Sequence, residues 1–196
     1  MNTGKYDPDK LPEVSQLRRE LARVRRRKAR WENVGNLCYT LAVAAAVAVL
    51  VAILALPILR IYGNSMTPTL REGDFVVSVK GSEFKAGDLV VFYLGNNVLV
   101  KRYIAGPGTW VEITEDGTIL LDGQVLEEPY VTEKSLGICD LEFPYQVPEE
   151  SYFLVGDHRE TSVDSRHSSV GCISRDQMVG KIVFRVWPME AFGSMN

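Results

Sequence analysis

The feature of this sequence that most constrains its fold is an uncharged run of 26 residues, positions 34–59. Within it, residues 41–56 are all alanine, valine, leucine or isoleucine. About 20 apolar residues are enough to cross the hydrocarbon core of a bilayer as a helix. A helix that is apolar on every side also lacks the polar face of a helix on a soluble domain. We therefore predict a transmembrane helix over residues 34–59, with the lipid bilayer as a partner.

The charges on the two sides of this run predict the orientation of the helix. Residues 1–33 hold ten lysines and arginines against five acidic residues, whereas residues 60–196 hold twelve against twenty. Basic residues accumulate on the cytoplasmic side of a membrane helix. We therefore predict a single-pass protein of the cell membrane, with a basic cytoplasmic region at 1–33 and an extracytoplasmic domain at 60–196.

Two alternatives apply to the N-terminal part of the chain. A cleaved signal peptide would have an apolar segment of 7–15 residues and a site of small residues after it. Here the run is longer, and bulky residues, Pro57, Ile58 and Leu59, stand where the site would be. The basic run at residues 16–30 could instead be a nucleic-acid-binding arm. The predicted topology already explains that charge, so no nucleic acid is expected as a partner.

Beyond residue 70 the sequence changes to short apolar segments separated by turns. A near-continuous apolar strand is predicted at 88–94 and a further strand at 98–105, and Gly95-Asn96-Asn97 is expected to close a hairpin between them. Further short strands are predicted at 74–79, 110–113, 118–121, 124–126, 152–155 and 181–187. The extracytoplasmic domain is therefore predicted to be mainly β and antiparallel, with a smaller inserted β subdomain at about 108–150.

The three cysteines, Cys38, Cys139 and Cys172, are too few and too scattered for a zinc site. No metal and no cofactor is predicted. Cys38 lies in the apolar run, where a cysteine usually packs as a small residue. Cys139 and Cys172 could form a disulfide in an oxidising compartment, and the sequence leaves both the bridged and the free state open.

Three stretches carry residues that could perform chemistry, and each also has a structural reading. Ser65 lies between a glycine turn and Pro68, where it is either a presented nucleophile or part of a polar linker. Lys101 lies mid-strand among apolar residues, where burial would lower its pKa, although lysines also protect edge strands. The polar stretch at 156–166 is either a site loop or a solvated surface loop.

Taken in order, these stretches resemble the motifs of bacterial type I signal peptidases, and the resemblance covers about residues 36–190. The matching segments are Ser-Met-Thr-Pro-Thr-Leu at 65–70, Gly-Asp-Leu-Val-Val-Phe at 87–92, Lys-Arg-Tyr-Ile-Ala-Gly-Pro-Gly at 101–108, and Gly-Asp-His-Arg through Ser-Val-Asp-Ser-Arg at 156–166. The resemblance implies a signal-peptidase/LexA-like β domain. It also implies a serine endopeptidase that removes signal peptides from exported preproteins through an acyl-enzyme intermediate.

The same resemblance implies a role for each matching residue. Ser65 would be the nucleophile, Lys101 the general base, and Ser162 the group that orients the lysine lone pair. The supporting residues would be an Asp164–Arg166 pair behind the site, Asp157 and Arg159 ordering the same loop, and Met66 near the substrate pockets. The substrate would bind as an extended strand, with small side chains at P1 and P3.

Three features depart from the family pattern, and the smallest of them is Ala105-Gly106, which replaces Gly-Leu before Pro107. His158 stands where the family usually has asparagine, and a Ser65–His158 dyad is not expected because Lys101 is present. Gly63 fits the Gram-positive branch, in which the backbone N–H of Ser65 carries more of the oxyanion hole. A non-catalytic assembly factor of the same fold is the second hypothesis, and the presence of both Ser65 and Lys101 argues against it. The sequence leaves the oligomeric state open.

Overall fold

The computed structural model describes residues 14–81 and 83–195, except for the side chains of residues 29 and 52–55. The chain divides into two compact units, Met1–Ala52 and Ile53–Asn196. Residues 1–13 of the predicted cytoplasmic region lie outside the described residues.

The first unit is built on one long helix, α1, which spans Val14–Ala55. By length and composition alone, α1 is long and apolar enough to cross a membrane. The helix ends at Ala55, so residues 56–59 of the predicted span lie outside it. Leu56 precedes Pro57, and the residue before a proline is disfavoured in the helical conformation. Residues Ile58–Arg60 form a strand instead.

The second unit contains twelve described strands, all paired antiparallel. They are β1 (Ile58–Arg60), β2 (Phe75–Lys80), β3 (Leu89–Leu94), β4 (Asn97–Ala105), β5 (Trp110–Ile113), β6 (Ile119–Leu121), β7 (Gln124–Val125), β8 (Tyr145–Gln146), β9 (Ser151–Val155), β10 (Ile173–Ser174), β11 (Met178–Trp187) and β12 (Gly193–Ser194). The prediction of a mainly antiparallel β domain after one apolar helix is confirmed.

The strands form two sheets. The larger sheet has the order β1-β2-β11-β3-β4-β9-β10, with β12 paired to β11, and the smaller has the order β7-β6-β5-β8. All strands of the smaller sheet come from residues 110–146, between β4 and β9. Three buried clusters fill the unit, and one of them joins the two sheets through residues such as Ile104, Val111 and Phe153.

Strand β3 explains why its sequence reads as a near-continuous apolar run. Its residues Leu89 and Val91 face one cluster, and Val90 and Phe92 face another. A strand buried on both faces needs no polar alternation. Its partner β4 follows after a two-residue loop, Gly95 and Asn96, with Leu94 opposite Asn97. Strand β4 therefore lies inside the sheet between β3 and β9.

The ends of β4 and β9 position the candidate site. Arg102 pairs with Val155, the last residue of β9, and the pairing register then shifts before Ala105. The polar loop at residues 156–166 begins directly after Val155. It therefore emerges from the sheet beside Lys101 and Arg102.

Candidate active site

The predicted nucleophile, Ser65, lies in a tight turn between β1 and β2. The Thr67 N–H donates to the Asn64 carbonyl at 3.0 Å, and the Leu70 N–H donates to the Met66 carbonyl at 2.8 Å. Met66 and Leu70 are buried in the cluster beneath the turn, whereas Ser65 is half-buried. The two apolar anchors hold the turn against the core and leave the serine at its surface.

Lys101 is a buried amine in the interior strand β4. Its side chain is 5% exposed, and its Nζ donates to Ser162 Oγ at 2.8 Å. The pKa of Lys101 is lowered from its ordinary value of 10.5 to about 8, and burial is the largest cause. The negative charge of Asp164 raises this pKa, the positive charge of Arg166 lowers it, and the negative charge of Asp157 raises it. Because the charged form loses hydration in this position, a neutral amine is accessible near physiological pH. Because β4 lies between β3 and β9, Lys101 is not an edge-strand residue.

Ser162 is fully buried and lies in the loop after β9. Its N–H donates to the His158 carbonyl at 3.1 Å, and the His158 N–H donates to the Ser65 carbonyl at 3.0 Å. The loop is thus tied to the backbone of the nucleophile turn. Gly156 allows this close approach, because a Cβ there would lie 2.2 Å from Ser162 Oγ and 2.6 Å from the Ser65 carbonyl oxygen.

Asp164 and Arg166 form a buried ion pair behind Ser162. Arg166 Nε donates to Asp164 Oδ1 at 2.8 Å, and the Gly156 N–H donates to Asp164 Oδ2 at 2.9 Å. Burial alone would raise the pKa of Asp164, but the hydrogen bonds and charge of Arg166 outweigh it and lower the pKa. Arg166 also donates to the carbonyls of Leu136 and Arg159. The pair therefore fixes both the start and the middle of the loop.

Asp157 binds an arginine that the sequence analysis did not select. Arg102 Nε donates to Asp157 Oδ1 at 2.7 Å, and Arg102 Nη2 lies 2.5 Å from Asp157 Oδ2. Thr69 Oγ1 donates to the same carboxylate at 2.5 Å, and the guanidinium lies over the ring of Tyr130 at 3.6 Å. This bidentate pair connects the nucleophile turn, strand β4 and the loop at 156–166. The sequence signal for Arg102 was its position: it is a charged residue next to Lys101 within an otherwise apolar strand.

Arg159 binds a second residue that sequence reasoning missed, Glu128. Arg159 Nη1 donates to Glu128 Oε2 at 3.1 Å, and Nη2 lies 2.5 Å from Oε1. Both side chains are buried, so this pair ties the site loop to the segment after β7. Glu128 stands in an acidic stretch without a clear period, and nothing in its local sequence marks it. Asp157 therefore pairs with Arg102 and Arg159 pairs with Glu128, and the two residues do not pair with each other.

The imidazoles of the two histidines contact hydroxyl groups within their own loops, although the His158 backbone bonds to Ser65 and Ser162. His158 Nδ1 is 2.6 Å from Thr161 Oγ1, and His167 Nδ1 is 2.8 Å from Ser169 Oγ. Cys139 and Cys172 are free thiols, and burial raises the pKa of Cys172. Among residues 14–81 and 83–195, no three His, Cys, Asp or Glu side chains are grouped to hold a metal ion.

Ser65 and Lys101 line one cleft of about 470 Å³. Two chain segments, residues 59–63 and 97–100, line it, together with Met66 and Val163. Within the described residues, the hydrogen bond of Lys101 Nζ goes to Ser162, and none joins it to the Ser65 hydroxyl. A partly exposed hydroxyl beside a buried amine of lowered pKa is suited to nucleophilic acyl transfer.

Comparison with known proteins gives consistent matches. The sequence pattern of the family described as "Signal peptidase, peptidase S26" matches residues 34–187. Signal peptidase IB of Staphylococcus aureus (strain COL) is 36% identical over 152 residues, which cover 67% of this chain and 78% of that protein.

Two further relatives extend the comparison. The chloroplastic thylakoidal processing peptidase 1 of Arabidopsis thaliana is 35% identical over 180 residues, 81% of this chain and 51% of that protein. The crystal structure of a signal peptidase I from Enterococcus faecalis V583 is 27% identical, with a TM-score of 0.41, and the match covers 51% of this chain and 97% of that chain.

Proposed function

Since the chain belongs to the signal peptidase family, peptidase S26, and is a serine hydrolase that removes signal peptides, we propose that Ser65 is its nucleophile and Lys101 its general base. The observation that carries this proposal is the buried Lys101 amine, whose pKa is lowered to about 8 and which shares a cleft with Ser65. A lysine with its ordinary pKa would be protonated and could not accept a proton.

In the proposed reaction, the Ser65 hydroxyl attacks the carbonyl carbon of the peptide bond after the signal peptide and gives its proton to Lys101 Nζ. The protonated amine then donates to the leaving nitrogen, and an ester between Ser65 and the signal peptide remains. Lys101 next takes a proton from water, which attacks the ester carbonyl, and the protonated amine returns that proton to Ser65 Oγ as the signal peptide leaves with a free carboxyl group. The backbone N–H of Ser65 stabilises the developing oxyanion.

The supporting residues keep this arrangement rigid. Ser162 accepts a hydrogen bond from Lys101 Nζ, which directs the lone pair of the neutral amine toward the nucleophile. The Asp164–Arg166 and Asp157–Arg102 pairs hold the loop and β4 in register. This rigid arrangement keeps Lys101 Nζ close enough to the Ser65 hydroxyl for a proton to pass between them.

The cleft suggests how a signal peptide binds. Residues of β1 and β4 line the cleft, so an extended peptide can hydrogen-bond to backbone groups there. Met66 also lines the cleft, and we expect it to contact small side chains at P1 and P3. In this proposal, α1 anchors the protein as a single pass in the cell membrane. Residues 1–33 are cytoplasmic, and the catalytic domain, with residues 108–150 as its inserted subdomain, is extracytoplasmic.

A cleavage assay over a range of pH tests the proposal. The full-length protein is mixed with a preprotein whose signal peptide ends in Ala-x-Ala, and mass spectrometry identifies the bond that is cut. The rate is expected to rise about tenfold per pH unit below pH 8 and to level off above it, because the neutral fraction of Lys101 rises with pH. A rate that does not change between pH 6 and 10, or a cut elsewhere in the chain, contradicts the proposal.

Replacing Gly156 by alanine is expected to reduce the cleavage rate by about 100-fold or more. The new Cβ would lie 2.2 Å from Ser162 Oγ and 2.6 Å from the Ser65 carbonyl oxygen, so Ser162 and the nucleophile turn must both shift relative to Lys101. The matched control is Gly193→Ala, since a Cβ there meets no atom within 4 Å. Equal rates for the two variants in the preprotein assay would show that Ser162 does not position the base.

A further inference from the structure

The basic half of α1 carries an apolar stripe. Every side chain that the structure describes between residues 14 and 51 is exposed. Among them are the apolar side chains Val14, Leu17, Leu21, Val24 and Trp31, with exposed fractions between 48% and 69%. They recur at intervals of four and three residues, which places them along one side of the helix. The signal peptidase reaction does not use this stripe.

The stripe continues as a heptad pattern, which we call the seam. Its positions are Val14, Leu17, Leu21, Val24, Lys28, Trp31, Gly35 and Cys38. The intervals alternate strictly between three and four residues, which is the spacing of the a and d positions of a coiled coil. Seven of these eight positions hold an uncharged residue, in a segment where charged residues are otherwise frequent. Lys28 is the exception, and a single charged residue at an a position fixes register at a cost in stability.

Inside the apolar run, the seam begins with small residues. The positions after Gly35 and Cys38 are Ala42 and Ala45, and Val49 follows them. The opposite side of the helix carries larger residues, Val43, Val47 and Leu50. Small residues at a helix interface let two backbones approach closely in lipid. The same side of α1 is therefore suited to helix packing both in water and in the bilayer.

The charges that flank the seam identify the partner. In a parallel pair of identical helices, a g residue of one helix lies near the e residue five positions later in the other. These pairs are Glu20 with Arg25 and Arg27 with Glu32, and both join opposite charges. Within one chain Glu20 instead contacts Arg23 at 3.3 Å. That contact is highly exposed, and such pairs are weak enough to rearrange.

We propose that α1 pairs with α1 of a second copy of this chain, as a parallel left-handed coiled coil along the seam. The parallel orientation rests on the proposed topology, in which every copy is inserted with its N-terminus in the cytoplasm. Arg19, Arg23, Arg26 and Arg30 lie on the outer side of each helix in this arrangement. These arginines are separated by solvent, so salt screens the repulsion between them.

Cysteine cross-linking of the full-length protein tests the geometry. In a background of Cys38→Ala, Cys139→Ala and Cys172→Ala, Leu21→Cys is placed on the seam and Ala22→Cys one residue away from it. Membrane vesicles containing either variant are treated with copper phenanthroline, which accepts the two electrons that two thiols release, with two protons, on forming a disulfide.

The Leu21→Cys protein is expected to form at least about tenfold more covalent dimer than Ala22→Cys, because only seam positions face their own copy. Equal cross-linking at both positions, or none at either, overturns the proposal.

A charge exchange tests the choice of partner. Glu20→Arg puts like charges opposite each other at two symmetry-related places, and is expected to weaken pairing by about five- to tenfold, whereas the Glu20→Arg/Arg25→Glu double variant restores it. Energy transfer between two labelled copies in vesicles of neutral lipid measures the pairing of the single variant and of the double variant. If the helix instead binds anionic lipid through its arginines, Glu20→Arg does not weaken any association and the double variant rescues nothing. Preprotein cleavage, measured on the same samples, reports separately on the proposed function.

Discussion

Replacing Ser65 by alanine, or Lys101 by alanine or arginine, is expected to slow preprotein cleavage by a factor of roughly 10³ or more. Ser65→Ala removes the attacking oxygen. Lys101→Ala removes the proton acceptor, and Lys101→Arg keeps a cation that stays protonated at any assay pH. The three variants should therefore be equally inactive, although they differ in the charge at the base of the cleft. Release of the mature protein, followed by mass spectrometry, measures the loss.

The two histidines are the matched controls for this prediction. Their imidazoles contact Thr161 and Ser169, each in its own loop, so His158→Ala and His167→Ala should retain most of the wild-type rate. Thermal unfolding of each variant shows whether the protein is still folded. Activity retained in a folded Lys101→Ala protein would rule out the dyad, and activity lost in His158→Ala would direct attention to a serine–histidine pair.

Replacing Glu128 by alanine is expected to lower the free energy of unfolding by about 3–5 kcal/mol. The change leaves the Arg159 guanidinium, whose side chain is 1% exposed, without its carboxylate in a place that water does not reach. An unpaired buried charge costs far more than the pair itself contributes. Denaturant unfolding of the full-length protein in detergent measures the loss. Cleavage activity should fall with it, because Arg159 lies in the site loop.

The double variant Glu128→Leu/Arg159→Met tests whether the loss of stability comes from the unpaired charge. Replacing both charges by apolar groups removes the unpaired charge, so the double variant should recover most of the lost stability. Glu149→Ala, at an exposed acidic residue, is the control and should change stability by no more than about 0.5 kcal/mol. A double variant as unstable as Glu128→Ala would show that the unpaired charge of Arg159 is not the cause of the loss.

The sequence was sufficient to predict the elements with a strong local signal. The apolar run predicted a helix, and the segment ending at Leu94 predicted a near-continuous apolar strand, because hydrophobic pattern determines both. Strands β1, β8, β10 and β12 were not predicted. Each has only two or three residues, too few to show an alternation, and pairing with a neighbouring strand rather than local preference forms them.

The candidate site could be predicted only where a motif carried it. Ser65, Lys101 and Ser162 were selected through the family resemblance, whereas no periodicity pointed to the partners of Asp157 and Arg159. Those partners are Arg102 and Glu128, and they lie 55 and 31 residues away along the chain. Long-range pairs of this kind depend on the tertiary fold, which brings strand ends together, so the local sequence does not identify which two residues will pair.

The separation of the site along the chain has a consequence for how the protein is made. The hydrogen bond from Lys101 to Ser162 joins residues 61 positions apart, and the one from Thr69 to Asp157 spans 88. A nascent or half-translocated chain can present Ser65, but its lysine is solvated and remains a protonated cation. In the proposed mechanism, a chain that has not yet folded therefore has no base for Ser65, and it gains cleavage activity only once these distant residues have met.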